Sequence, residues 1–368
     1  VTNDFPPRFG GVQQYVWNLV SNLPSDRVGV LAPSWPGAAD HDAALSFEVH
    51  RWPSTSLVPT PALRRRVAEL VRAHGAEVVV FGHGFPLPLL GPALSRHAVP
   101  YVVLTHGAEV WQACVPGFAE PMRRALQRAR VVTAISRYTA NAIRGSLGLT
   151  RPMTPLAPGV DERRFHPSVD GGFVRDRHGL GERPIVVSVS RLVPRKGHDV
   201  LIQAMADLRS LVPDAALLIA GDGPHRPELE RLAATYPSGT VILAGAVADA
   251  DLPAYYAAGD VFAMPCRSRY AGLEVEGFGI VYLEAAATAK PAIAGRSGGA
   301  SEAVVDGETG TVVESREPKA AMLAMVSLLD DPPRSARYGA AGRARVEAAF
   351  TWKRRTERLA QILAEAAG

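Results

Sequence analysis

Short β-branched runs alternate with longer helix-periodic segments along almost the whole chain, and this alternation limits the fold more than any other feature. Parallel strands need a crossover between them, usually an amphipathic helix, so repeated βα units imply a parallel sheet covered by helices. In the first half strands are predicted near Val28–Ala32, Val78–Phe81, Tyr101–Thr105 and Val131–Ala134, with helices over Val12–Asn22, Pro61–His74 and Glu120–Arg128. In the second half strands are predicted near Ile185–Ser190, Ala216–Ala220, Val241–Ala244, Val261–Met264, Pro291–Ala294 and Gly310–Val313. Between the halves, "TPLAPGVDERRFHPSVDGG" carries Pro155, Pro158, Pro167 and a glycine pair, which break regular structure. A chain of 368 residues also exceeds the roughly 100 to 200 residues typical of one core. The expected fold class is α/β, with two Rossmann-like doubly wound domains. Residues 1–165 form the first and 166–351 the second, with the terminal helix 352–368 packing back onto the first. Ligands of such sheets bind at the carboxyl ends of the strands, which directs attention to the cleft between the halves.

Hydrophobic residues make up 47% and charged residues 21%, which excludes a disordered chain. The net charge of +4 comes without a long Lys/Arg run and gives no footprint for nucleic acid. The longest apolar runs, "EVVVFG" and "IVVSVS", fall well short of the roughly 20 residues of a membrane span, and no signal peptide is visible. The opening "VTNDFPP" looks like a strand end entering a loop, so strand residues are expected upstream of Val1. Cys114 and Cys266 match no metal-ligand spacing and are expected to be reduced and buried, as in a cytosolic enzyme.

Several strand ends carry chemistry. In "FPPRFGGVQQYVWNLV", Gly10 and Gly11 open a helix whose N-terminal amides suit an anion, although a tight turn alone would use the same pair. "THGAEVW" puts His106 at a strand's carboxyl end, able to donate to a sugar hydroxyl or simply to cap the next helix. "SVSRLVPRKGHDVLIQA" delivers Arg191, Arg195 and Lys196 from one strand–loop–helix junction, a pattern suited to a diphosphate. In "LLIAGDGP", Gly221 and Asp222 form a bend that either takes the edge of a base or sugar or is an ordinary turn.

"EVEGFGIVYLEAA" places Glu276 just before a helix entrance and Glu284 about one turn inside it. The amides of Gly279, Ile280 and Val281 would face an anion. Glu276 and Glu284 would then accept hydroxyls on either side of a diphosphate, which is the layout of a nucleotide sugar. "DAD" at Asp249–Asp251 is read as a helix cap rather than a metal site, and "SGGASE" at Ser297–Glu302 as a glycine turn. In "TPALRRRVAELVRAHG", Arg64, Arg65, Arg66 and Arg72 surround the polar side of an amphipathic helix. They suit either solvent or an anionic membrane surface.

Taken in order, "FPPRFGG", "THGAE", "SRLVPRKG", "GDGP" and "EGFGIVYLEA" resemble the retaining GT-B glycosyltransferases of family 4 over essentially the whole chain. Within that family, "VTNDFPPR", "SRLVPRKG" and "GLEVEGFGIVYLEA" are most similar to the actinobacterial phosphatidylinositol mannoside mannosyltransferases of the PimB type. The resemblance implies a metal-independent transfer of mannose from GDP-mannose to a lipid-linked inositol acceptor at the inner membrane face, with no cofactor. It implies that Arg191 and Lys196 hold the diphosphate, Glu284 the ribose and Glu276 the hexose. It also implies that Gly11 flanks the phosphate and that His106 touches the transferred sugar. "HGAEVWQACVPG" and "SRYAGLEVEG" depart from the pattern where the acceptor should bind, which leaves a small soluble acceptor with a UDP-sugar as the alternative. A non-enzymatic two-domain solute-binding protein is the remaining reading.

Overall fold

The computed structural model describes residues 1–8, 10–94 and 98–368. The chain divides into two compact units, Val1–Gly159 with Trp352–Gly368, and Val160–Thr351. The sequence-based boundary at 165/166 therefore falls a little inside the second unit. Val160 and Thr351 form a β-bridge, so the two ends of the second unit lie side by side.

The first unit holds a parallel pair, β1 (Gly29–Pro33) and β2 (Glu48–Trp52), and a four-stranded parallel sheet. That sheet runs β3 (Val79–Phe81), β4 (Tyr101–Thr105), β5 (Val131–Ala134), β6 (Thr154–Pro155). Val1 and Thr2 bridge the two sheets: the Thr2 amide donates to Leu31 O at 3.0 Å, and the Val1 amino group donates to Val80 O at 2.8 Å. β2 was not anticipated, because "EVHRW" has neither an apolar run nor clean alternation. It is an edge strand paired only with β1. The helix Trp352–Ala367 packs on the helix Gly11–Ser21, with Trp352 edge-on to Tyr15.

The second unit is built on one six-stranded parallel sheet: β7 (Ile185–Val189), β8 (Ala216–Ala220), β9 (Val241–Gly245), β10 (Val261–Met264), β11 (Ala292–Gly295) and β12 (Gly310–Val313). Their spatial order is β12-β11-β10-β7-β8-β9, the order of a doubly wound sheet. The strands β7, β8, β10 and β11 are buried along their length, as their unbroken apolar runs require. Leu201, Met205 and Leu208 of the helix His198–Leu211 pack in one core with Ala321, Met325 and Leu328 of the helix Pro318–Leu329. Cys266 is buried as expected, whereas Cys114 is exposed, in the turn that follows the helix Ala108–Gln112. No helix among the described residues is long and apolar enough to cross a membrane.

Candidate functional site

In the second unit the winding direction reverses between the neighbours β7 and β10, and at such a point the loops leaving the two strands diverge and open a crevice. The loop after β7 carries Arg191, Arg195 and Lys196, and the loop after β10 runs to Glu276. Gly197 (φ +77°) is pressed against the second loop, since a Cβ there would lie 2.3 Å from Pro265 O.

Lys196 and Glu276 have side chains only 9% exposed, and Lys196 Nζ donates to Glu276 Oε2 at 2.7 Å. Arg195 Nη1 donates to the same oxygen at 2.5 Å. Burial alone would raise the pKa of Glu276, but Lys196 and Arg195 outweigh it and hold the carboxyl below its ordinary value. The acid is thus an anion with both cations drawn onto it. Arg191 is exposed, and its guanidinium has no ion-pair or hydrogen-bond partner among the described residues.

The helix Ile280–Ala287 begins at Gly279, whose φ of +90° admits glycine readily. A Cβ at Gly279 would also meet the Tyr282 ring at 2.5 Å. No side chain caps this helix, so nothing of that kind covers the first-turn amides of Ile280 and Val281. Glu284 accepts a hydrogen bond from the Tyr256 hydroxyl. Burial raises its pKa above the ordinary value against the opposing pull of that bond and of Arg164.

Two turns have firmer roles than their sequences show. In "SGGASE", the Gly299 amide donates to Glu276 O at 2.8 Å, and a Cβ on Gly298 (φ +55°) would fall 2.0 Å from that oxygen. The turn therefore braces Glu276. In "GDG", Cβ atoms on Gly221 and Gly223 would collide with Ser190 O at 2.0 Å and Leu192 O at 2.4 Å, so tight backbone packing by itself accounts for both glycines. The Asp222 carboxylate is spent on the Gly223 amide at 2.7 Å. Asp251 stands at the N-cap of Leu252–Ala258 without a side-chain cap bond, and Asp249 pairs with Arg164 at 3.0 Å, so neither acid of "DAD" is the expected cap.

In the first unit, His106 follows β4 and lies edge-on to Tyr15, ring centroids 5.2 Å apart. Its Nε2 is 2.7 Å from Gly82 O, which only accepts, so the proton sits on Nε2. Burial lowers the ring's pKa, and in the neutral imidazole Nδ1 is then an acceptor. With Nε2 engaged by Gly82 O, Nδ1 is left as the ring atom that a hydroxyl could meet. The buried carboxylate of Glu109 holds this loop through the amides of Gly84 (3.1 Å), His106 (3.3 Å) and Gly107 (2.8 Å). At the helix Gly11–Ser21, a Cβ on Gly10 would strike Gln13, whereas one on Gly11 would meet no atom within 4 Å. Nothing in the described protein needs glycine at position 11.

Arg164, Tyr256 and Glu109 belong to these clusters and were not on the sequence-based list of candidate site residues. Arg64, Arg65 and Arg72 are exposed on the helix Pro61–Ala73, while Arg66 is half-buried and 3.6 Å from Glu69. A cavity of about 770 Å³ in the first unit is lined by none of these candidate residues.

Residues 9–164 match the model of Glycosyltransferase Family 4, and residues 173–345 that of the Glycosyl transferases group 1. The chain is 45% identical over 370 residues to a GDP-mannose-dependent alpha-(1-6)-phosphatidylinositol monomannoside mannosyltransferase of Mycolicibacterium smegmatis, covering 99% of this chain and 97% of that protein. It is 41% identical to the Corynebacterium glutamicum protein named for the monoacylated acceptor, over 99% and 96% of the two chains. Among solved structures, a glycosyltransferase from Rickettsia africae superposes with a TM-score of 0.82 at 18% identity, over 100% and 97% of the chains. Anabaena HepE in complex with UDP and glucose gives 0.79 at 21%, over 98% of each. These two show a shared fold.

Proposed function

The chain belongs to the family 4 glycosyltransferases, in the group of GDP-mannose-dependent phosphatidylinositol mannoside mannosyltransferases, and on that premise we propose that it transfers mannose from GDP-mannose to a phosphatidylinositol monomannoside. The observation that carries this reading is the pairing, at the reversal point of the second sheet, of three cations with an uncapped helix mouth. Arg191 and Lys196 hold the diphosphate together with the amides of Ile280 and Val281. Glu284 receives the ribose hydroxyls, and Glu276 the hydroxyls of mannose. Gly221 and Asp222 serve the donor through backbone shape alone. From the first unit Gly11 lets a phosphate approach the helix start, and His106 accepts from a hydroxyl of the transferred sugar.

The transfer retains configuration and proceeds on one face of the sugar. The bond from C1 to the phosphate oxygen breaks as the bond from C1 to the acceptor oxygen forms, and the acceptor's proton passes to the departing phosphate. Negative charge grows on that phosphate, and preorganised cations stabilise it where it develops. Arg191 and Lys196 supply that charge without a metal ion. The arginines Arg64, Arg65, Arg66 and Arg72 offer a basic face to an anionic membrane, where the lipid acceptor resides.

A transfer assay with purified chain, GDP-mannose and phosphatidylinositol monomannoside tests this. Product is expected with GDP-mannose and not with UDP-glucose. Lys196→Ala should reduce turnover about 100-fold or more with the far-ultraviolet circular dichroism unchanged. Turnover near the wild-type level in that variant would remove the basis of the assignment.

A further inference from the structure

The first unit contains a second cluster of ligating groups that the transfer reaction does not use. Glu48 and His50 are alternate residues of β2 and so share one of its faces, and His74 is the C-cap residue of the helix Pro61–Ala73. Gly29 pairs in register with Glu48 and has no side chain to fill the space where the His74 ring lies, 3.8 Å from a Cβ built there. The Nε2 atoms of His50 and His74 are 2.9 Å apart. The Glu48 carboxylate approaches both, Oε1 at 3.3 Å from His50 and Oε2 at 3.5 Å from His74.

The two carboxylate–imidazole separations match a metal site, and the Nε2 pair has only a few tenths of an ångström to open to join it. Zinc bonds of 2.0 to 2.2 Å in a tetrahedron place neighbouring ligand atoms about 3.3 to 3.6 Å apart. Without a cation the two facing imidazole nitrogens are linked by one shared proton, whose place a metal ion would take. We propose that Glu48, His50 and His74 bind one zinc-class divalent ion, with water in the fourth position. Two imidazoles and one carboxylate select zinc, nickel or copper over magnesium and calcium. The ion ties the edge strand to the end of a helix 24 residues further along, which makes it a structural staple of the first unit.

Untagged full-length chain, freed of metal by chelator and dialysis, is titrated with zinc chloride by calorimetry, and cobalt chloride is followed by visible absorption. One ion per chain with micromolar or tighter affinity, and the intense cobalt bands of a tetrahedral site, are expected. His50→Gln and His74→Gln, which keep the side-chain bulk, should each weaken binding at least about tenfold. The zinc-dependent rise in Tm seen with the wild type should be lost in both. Sub-stoichiometric binding at 100-fold molar excess, or zinc affinity unchanged in the double variant His50→Gln/His74→Gln, would overturn the proposal.

Discussion

Glu276 and Glu284 belong to one short motif but are held in opposite electrostatic states, and this gives each its own signature. Glu276 is kept below the ordinary glutamate pKa by its two cations, so its stabilising contribution is present at neutral pH and lost as pH falls through its folded value. Glu284 is raised by burial, so its ionised form costs stability at neutral pH and the cost disappears on acidification. Glu276→Gln should therefore lower Tm at pH 7, whereas Glu284→Gln should raise it. The Glu284 difference should shrink as pH falls toward the ordinary glutamate value of about 4.3, and the Glu276 difference only below that value. Melting curves of the two variants from about pH 3 to 8 measure this, and a parallel response of both would contradict the assignment of their environments. The motif itself was legible because its residues stand at a strand end and a helix start. The ion pair was not, because Lys196 and Glu276 are 80 residues apart and only the sheet brings them together. The donor state of His106 was equally hidden, since it depends on a carbonyl 24 residues earlier.

Among the elements, the glycine turns divide by what demands the glycine. At Gly298 the demand is internal: a left-handed φ and the carbonyl of Glu276 both exclude a side chain. Gly298→Ala should destabilise the second unit by about 1 to 3 kcal/mol and shift Glu276, reducing turnover as well. At Gly11 the space ahead is free of protein, so Gly11→Ala should leave Tm unchanged while raising the KM for the donor several-fold. Denaturation curves paired with steady-state kinetics separate the two, and a fall in Tm with unchanged KM for Gly11→Ala would count against a phosphate there. The long parallel strands were readable as apolar runs because both of their faces are buried. β2 was not, because an edge strand bearing Glu48, His50 and Arg51 carries no hydrophobic period.

For the whole molecule, the strand order of the second unit fixes where a ligand enters before any residue is considered. Relatives similar over nearly their full length are named for GDP-mannose, the donor proposed for this chain. A donor present at 100 times its Kd adds about 2.7 kcal/mol of stability, or about 5 to 10 °C in Tm. GDP-mannose and GDP should both produce such a rise, and UDP-glucose little. Comparable shifts from all three in a thermal melt would mean that the base is not recognised. The acceptor side is the least legible part, because "HGAEVWQACVPG" and "SRYAGLEVEG" follow no regular period that fixes their shape.

The salt link between Lys196 and Glu276 has one more consequence, for the sequence of events at binding. A carboxylate already neutralised by two partners has little left to offer a neutral hexose, so free mannose should pass the protein by even at millimolar concentration. On the proposed donor site, pyrophosphate would draw the ammonium away and make the vacated oxygen available to the sugar attached to it. Recognition would then run from anion to carbohydrate in a fixed order, with free monosaccharides left aside in favour of their activated form.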